Sequence, residues 1–375
     1  MYTLFKTWAE IDHEALRFNI QQIRNLVGPR VKILASVKAE GYGHGVVSVS
    51  RTALSAGAEW LGVSHVKEAL ELRSFFPNVP ILILSSGMSG HTRLIVRNRL
   101  TPVVCSLEIA RDLSAAALAS GTIANIHVML DTGMGRIGVW HENSLTFLKR
   151  ISQIKGIRLE GLASHFAAAD DQDSTFTDRQ LNGFLKVSEE VREMGIDIPL
   201  HHIANSAALI HNRETHLDMV RPGIMLYGVY PDPRSRSLID LKPVLSLKTR
   251  IAYLKTVEPG RTISYGLTYL VKKKTRVATL PIGYGDGFSR AHSSRGEVLI
   301  RGQRAPIIGI VTMDQIMVDV GNIDGVAVGD EAVLIGEQGA VRITAEEAAE
   351  KIGTISYEVL AQLGKRVSRV DKNRT

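Results

Sequence analysis

The chain has 375 residues, 45% apolar and 22% charged, an ordinary globular composition in a length that exceeds what one core usually supports. Its formal net charge of +7 is dispersed among acids, and the densest basic run, Lys272 to Lys274, reads as a solvated turn, so no nucleic-acid partner is expected. The single cysteine, Cys105 in TPVVCS, rules out an intrachain disulfide and reads as a buried inert thiol; the charged start MYTLFKTWAEIDHEALRFNI lacks the apolar centre of a signal peptide, and no stretch is long enough to cross a bilayer, which together predict a soluble cytoplasmic protein.

Between about residues 30 and 230, short β-rich apolar runs alternate with amphipathic stretches. In chain order the runs are VKILASVK (31–38), WLGVS (60–64), PILILSS (80–86), TPVVCS (101–106), IANIHVMLD (123–131), RLEGLASHF (158–166), LHHIANS (200–206) and DMVRPGI (218–224). Between them lie helical patterns such as VKEALELRSFF, LEIARDLSAAALAS and FTDRQLNGFLKVSEEVREMG. Near-continuous apolar strands separated by helices predict a parallel sheet covered on both faces. Eight such units suit a closed (β/α)8 barrel of the TIM type, with its chemistry at the C-terminal ends of the strands; a doubly wound open sheet is the alternative. After PDPRSRSLIDLKP (231–243) the pattern turns to long alternating runs punctuated by glycine, with few helical patterns before AEEAAEKIGT. That predicts a second, mainly antiparallel β domain. The boundary is expected near residue 235, giving an N-terminal α/β barrel over 1–235 and a C-terminal β domain over 236–375.

Reactive side chains fall where the predicted strands finish. Lys38 ends the first, Asp131 and Arg136 follow the fifth, and His165 ends the sixth. His202, Asn205 and Ser206 lie on the seventh and Arg221 on the eighth, so residues scattered in sequence would converge at one barrel mouth. Lys38 opens the stretch KAEGYGHG. An ammonium there loses several kcal/mol in desolvation unless it is paired or neutral. Two readings stand: a lysine snorkelling to the rim, or one whose pKa falls until its amine can bond covalently to an aldehyde cofactor. The glycine-rich turn lets backbone approach a bound group, and the Tyr42 hydroxyl could meet a phosphate. His165 by itself reads equally as a satisfied core histidine. No metal site is expected.

SVKAEGYGHG resembles the pyridoxal-phosphate lysine motif of the alanine racemases, and the likeness continues in register. WAEIDHEALRFNI, DTGMGRIG (131–138), ASHFAAAD (163–170), ANSAALI (204–210), RPGIMLYG (221–228), SYGLTY (264–269), IGYGDG (282–287) and TMDQIMVDV (312–320) complete the series. Each block is weak alone; in this order they are specific. The resemblance implies a pyridoxal 5′-phosphate enzyme that interconverts L- and D-alanine, supplying D-alanine for cell-wall peptidoglycan or degrading it.

Racemisation removes a proton from one face of Cα and delivers another to the opposite face, so two acid/base groups are needed across the cofactor. The resemblance assigns them to Lys38 and Tyr265, the latter contributed by the partner subunit of a homodimer with composite active sites. A tyrosine is a poor base near neutrality unless a positive neighbour lowers its pKa of about 10, and His165 could help provide that environment. Arg221 is placed against the pyridine nitrogen, where a guanidinium cannot release a proton to the ring; the weaker electron sink disfavours transamination. His202 would support Arg221. Tyr42, Ser206 and the N–H groups of Gly223 and Ile224 would hold the phosphate, with Asn205 nearby; Asn205 and Ser206 read otherwise as a helix cap. Arg136 would pair with the substrate carboxylate and the cofactor's phenolic oxygen. Met313 from the partner would offer backbone polarity to the carboxylate, Tyr284 would narrow the entrance beside Tyr265, and Asp314 would support that loop. Tyr357, in TISYEV, is a further polar candidate without an assigned place.

Three departures stand out. Where many family members carry a carbamylated lysine that holds the arginine, this chain has Met129; TMDQ puts Thr312 and Met313 where a cysteine–methionine pair is usual; and LAQLGKRV lacks a tyrosine some relatives carry. A racemase of serine or another small amino acid is therefore the nearest alternative. A basic amino-acid decarboxylase would put a glutamate at the pyridine nitrogen and a cysteine in the second domain, contrary to Arg221 and the position of Cys105. A non-catalytic pyridoxal-phosphate carrier is typically a lone barrel, and a barrel binding module without cofactor leaves Lys38 and Arg221 without a role.

Overall fold

The computed structural model describes residues 6–86 and 90–372; the first residues of the charged N-terminal stretch lie outside that range. Contacts divide the chain into two compact units. One consists of Arg17–Gly41 and Val46–Leu241; the other runs from Lys242 to the C-terminus and takes in the N-terminal segment up to Leu16 together with Tyr42–Gly45.

The strands up to the end of the first unit are β1 (Thr7–Ile11), β2 (Lys32–Ser36), β3 (Trp60–Val63), β4 (Ile81–Ile83), β5 (Thr101–Val104), β6 (Ala124–Asp131), β7 (Val139–Trp140), β8 (Ile157–Ala163), β9 (Leu200–His202) and β10 (Met219–Val220). All but β1 belong to one parallel sheet in the order β10-β2-β3-β4-β5-β6-β8-β9, with the short β7 paired to β6. The ring closes between its two ends through Asp218 N–H to His201 O and Arg221 N–H to Ala204 O, both 3.1 Å. The barrel of the closed type is the one the runs predicted, and each of the eight runs overlaps a barrel strand.

Closure is explained by what the strands carry. Leu34, Trp60, Leu82, Val103, Met129, Ala163, Leu200 and Met219, one residue from each of the eight barrel strands, form a single buried cluster inside the ring. Seven of the eight are bulky and Ala163 alone is small, so side chains fill the ring rather than leave a pore. Outside, helices supply the second apolar layer. In Thr175–Glu193 the residues Thr177, Leu181, Phe184, Val187 and Val191 are buried, a stripe at three- and four-residue spacing. Truncating the fully buried Phe184 to alanine would cost about 3–5 kcal/mol. Cys105 is half-buried rather than fully buried, and burial pushes its thiol pKa up.

The second unit is built on a mainly antiparallel sheet in the order β17-β16-β19-β11-β1-β21, with β20 paired to β19. Its strands are β11 (Leu245–Arg250), β12 (Tyr253–Val257), β13 (Thr262–Ile263), β14 (Tyr269–Leu270), β15 (Thr275–Leu280), β16 (Glu297–Ile300), β17 (Gln303–Pro306), β18 (Ile316–Asp319), β19 (Glu331–Gln338), β20 (Val341–Ile343) and β21 (Ser368–Asp371). A three-stranded sheet β12-β15-β18 and the pair β13-β14 complete it. AEEAAEKIG forms the helix Ala345–Ile352, opened by the Thr344 side chain accepting the Glu347 N–H and closed by left-handed Gly353. Lys272 to Lys274 are exposed, as a solvated turn requires.

The N-terminal segment differs from the expected 1–235 barrel. β1 pairs antiparallel with β11, Thr7 opposite Thr249 and Ile11 opposite Leu245, and parallel with β21. TWAEI buries Trp8, Ala9 and Ile11, and it is the neighbouring strands of the second unit that satisfy its backbone on both edges. Among the described residues no helix is long and apolar enough to cross a membrane, and no group of three His, Cys, Asp or Glu side chains could hold a metal ion.

Candidate active site

Lys38 follows β2 by two residues, and the chain then turns left-handed: φ is 51° at Ala39, 56° at Glu40, 62° at Gly41 and 53° at Tyr42. Such a run costs roughly 1–2 kcal/mol per non-glycine residue, so neighbours must impose it. Glu68 does so: one carboxylate oxygen accepts the Ala39 N–H at 2.7 Å, and the other accepts Ser64 N–H at 2.8 Å and His65 N–H at 3.1 Å. Gly41 is required sterically as well, because a Cβ there would lie 2.7 Å from Val49 Cγ2. Burial, then Arg136 and Arg221, push the Lys38 amine below the ordinary lysine range, against an opposing pull from Glu68. That environment shifts the balance of Lys38 towards the neutral amine.

The sign of that shift gives a stability test. A lysine whose folded pKa lies below its unfolded value of 10.5 destabilises the fold. The penalty is complete below the folded pKa and vanishes as pH rises through 10.5. Lys38→Met should therefore raise the urea midpoint of cofactor-free protein at pH 7, with the gap closing towards pH 10.5. A gap that widens with pH would refute the depressed amine.

Arg221 sits just after β10 and is fully buried among acceptors. Nη1 donates to His202 Nδ1 at 2.5 Å, and Nη2 to Ser164 O at 2.7 Å, Ile203 O at 3.1 Å and His165 Nδ1 at 3.1 Å. All four are neutral, and burial with the neighbouring Arg136 pushes Arg221 down to about 9, still cationic at pH 7. His165 is held at about 3 by burial and by Arg221, Arg136 and Lys38. It is thus a neutral imidazole, not the positive neighbour anticipated for Tyr265, because burial and the basic groups around it disfavour a further positive charge. Gln180, on the helix Thr175–Glu193, fixes that segment by donating to His165 O at 3.0 Å and accepting the Ala167 N–H at 2.9 Å.

Asp131 shapes DTGMGR by accepting the Gly133 and Gly135 N–H groups at 2.9 and 3.1 Å. Arg136 at its end is exposed and forms no hydrogen bond or ion pair among the described residues. Met129 lies in the barrel's interior cluster. Activity should accordingly not depend on added bicarbonate; rates in degassed and bicarbonate-supplemented buffer should agree, and a strong requirement would contradict this.

Asn205 and Ser206 do not extend β9. Asn205 caps the helix Ser206–His211, its side chain accepting the Ala208 N–H at 3.0 Å, and Ser206 Oγ accepts the Gly223 N–H at 2.9 Å. Ile224 opens the following turn, Ile224–Tyr227. Lys38, Arg136, His165, His202, Asn205, Ser206, Arg221, Gly223 and Ile224 all belong to the barrel unit.

Tyr42, Tyr265, Tyr284, Met313, Asp314 and Tyr357 belong to the other unit. Ser264 Oγ donates to Ile310 O at 2.6 Å, and the N–H groups of Tyr284 and Gly285 donate to Thr312 O at 3.0 Å and Met313 O at 2.9 Å. These bonds gather the SYG, GYGDG and TMDQ loops. A Cβ on Gly283 would lie 2.2 Å from Thr312 O, which explains the glycine. Asp314 is bound by Arg366 at 2.7 Å, and the same guanidinium reaches Asp286 at 3.2 Å. Tyr357 packs beside Tyr42, ring centres 6.2 Å apart. Tyr265 is 73% exposed, with Leu267, Leu270, Tyr284 and Met313 also exposed.

Residues 11–231 match the family description "Alanine racemase, N-terminal domain" and residues 244–371 match "Alanine racemase, C-terminal domain". The alanine racemase of Halothermothrix orenii is 46% identical over 98% of this chain and 97% of its own. The chain belongs to the alanine racemase family. Solved members of the family superpose closely: that of Clostridium difficile 630 at a TM-score of 0.93 and 39% identity, covering 98% of this chain and 97% of its own. That of Bacillus anthracis with bound L-Ala-P superposes at 0.92 and 36%, covering 100% and 97%. The protein is therefore an isomerase of the racemase class, and its barrel and β unit are those of the family. Sequence reading passed over Glu68 and Gln180 because each reads as an ordinary polar residue of a helix; the acid near the start of VKEALEL was the available signal.

Proposed function

We propose that this racemase interconverts L- and D-alanine with pyridoxal 5′-phosphate, using Lys38 and the partner subunit's Tyr265 as its two proton-handling groups. One observation carries the reading: a half-buried amine of depressed pKa shares its surroundings with two guanidiniums, Arg136 and Arg221, while the carboxylate that acts on it, Glu68, is occupied by backbone N–H groups. Such a cluster suits an anionic aldehyde and an anionic substrate.

The residues fit the cofactor. Lys38 Nζ would be its covalent anchor. Arg221, which can only donate, would meet the ring nitrogen; Ser206, Gly223 and Ile224 would receive the phosphate, with Asn205 shaping that loop. When bound, pyridoxal phosphate supplies the electron sink that makes a proton on Cα removable. Lys38 Nζ, its pKa depressed by burial and the nearby guanidiniums, takes or returns the proton on one face of Cα. The partner subunit's Tyr265 Oη does so on the other. Arg136 binds the substrate carboxylate, and His165, locked neutral, lends no charge to either group.

The exposed Tyr265, Leu267, Leu270, Tyr284 and Met313 support a homodimer, since solvent-facing apolar clusters of this kind mark interfaces. We place the enzyme in the cytoplasm, supplying D-alanine to the cell wall or consuming it. The L-Ala-P bound to the Bacillus anthracis relative favours alanine over serine.

Incubation of the reconstituted protein with single enantiomers of alanine, serine and other small amino acids in heavy water tests this. Alanine should lose optical activity and gain deuterium at Cα. No exchange with any amino acid would sink the reading, and exchange with serine alone would move it to a serine racemase.

A further inference from the structure

A second polar line leaves Arg221 in the direction away from Lys38. His202, besides accepting from Arg221, has its Nε2 2.7 Å from Nδ1 of His127 on β6. The Nε2 of His127 has no hydrogen-bond partner and stands 3.7 Å from Glu160 Oε2 on β8. Both imidazoles are 0% exposed. His127 packs against Trp60, ring centres 5.5 Å apart, and against Gly161, where a Cβ would lie 2.5 Å from Nδ1. Glu160 is held in turn by Asn125 Nδ2 at 3.0 Å and by Thr101 Oγ1 at 3.3 Å. Asn125 is the second residue of β6 and Thr101 the first of β5, so the carboxylate lies towards the strand starts, at the barrel end opposite Arg221.

The donors of Arg221 set the direction of the line. A guanidinium has no acceptor, so His202 Nδ1 must accept and its proton sits on Nε2. That proton is given to His127 Nδ1, which places the His127 proton on Nε2, facing Glu160. We propose that Glu160 and His127 are positioning residues for Arg221: through two imidazoles of fixed tautomer, a carboxylate at the far end of the barrel supplies the counter-charge that the four neutral acceptors around Arg221 do not. No proton moves in this arrangement; the line orients and polarises the guanidinium. Burial keeps both histidines below the ordinary range, with Glu160 opposing it only at His127, consistent with neutral rings.

The structural claim stands without any cofactor, while its effect on catalysis rests on the reading of Arg221 given above. Long-range proton–nitrogen spectra of cofactor-free protein labelled with nitrogen-15 in histidine should show two buried imidazoles as Nε2–H tautomers at pH 7. In Glu160→Gln only the one facing residue 160 should shift appreciably. Either ring carrying its proton on Nδ1, or doubly protonated, overturns the line whatever the enzyme binds. In the reconstituted enzyme Glu160→Gln should lower kcat roughly tenfold with KM unchanged, the order seen when an outer partner of a site residue is lost. An unchanged kcat overturns the positioning role. A protein that binds no pyridoxal phosphate but shows both tautomers would refute the cofactor reading and leave the line intact.

Discussion

Lys38→Ala and Tyr265→Phe proteins, each inactive alone, are expected to recover activity when mixed. Each substitution removes one proton-handling group, a loss of about 10²–10⁴-fold or more, and for Lys38 the covalent anchor as well. If a site takes Lys38 from one protomer and the partner subunit's Tyr265, a mixed dimer contains one doubly damaged site and one intact site. Random exchange makes about half the dimers mixed, so activity should approach about one quarter of the wild-type value. The 73% exposure of Tyr265 is what makes a phenol borrowed from a neighbour reasonable. Racemisation measured after demonstrated subunit exchange decides the matter: no recovery would mean the sites are not shared.

Arg221→Glu should be the most damaging conservative-sized change in the barrel. Four acceptors face the guanidinium, namely Ser164 O, Ile203 O, His202 Nδ1 and His165 Nδ1. A carboxylate would set acceptor against acceptor in a buried place, a loss of about 3–5 kcal/mol of stability. It would also let the ring nitrogen hold a proton, strengthening electron withdrawal and opening transamination. Racemisation should fall roughly 10²–10³-fold, the scale of losing one preorganised electrostatic group, while pyruvate appears from alanine. Arg221→Lys, which keeps the charge and three donors, should be damaged less. Near-normal racemisation by the glutamate variant would show that Arg221 does not address the ring.

The barrel was legible because a strand buried on both faces must be apolar throughout, and eight such runs stood out between amphipathic helices. Lys38 was legible because a lysine ending such a run, followed by three glycines in seven residues, is chemically conspicuous. The left-handed turn through Ala39 and Glu40 was not, since neither residue favours it; Glu68, 29 positions away, holds it in place. The neutrality of His165 was not legible either, because it depends on burial and on basic groups brought in from three separate loops.

TWAEI shows the division most clearly. Its five residues include three apolar ones, Trp8, Ala9 and Ile11, but joining β11 and β21 rather than the barrel is settled by backbone pairing across more than 200 residues. By itself the sequence determined the periodicities, the apolar faces and the positions of reactive side chains, because those are local properties of the chain. Only the tertiary structure decided which edges pair, which charges neutralise one another and which imidazole nitrogen holds a proton, because each depends on groups that meet through folding alone.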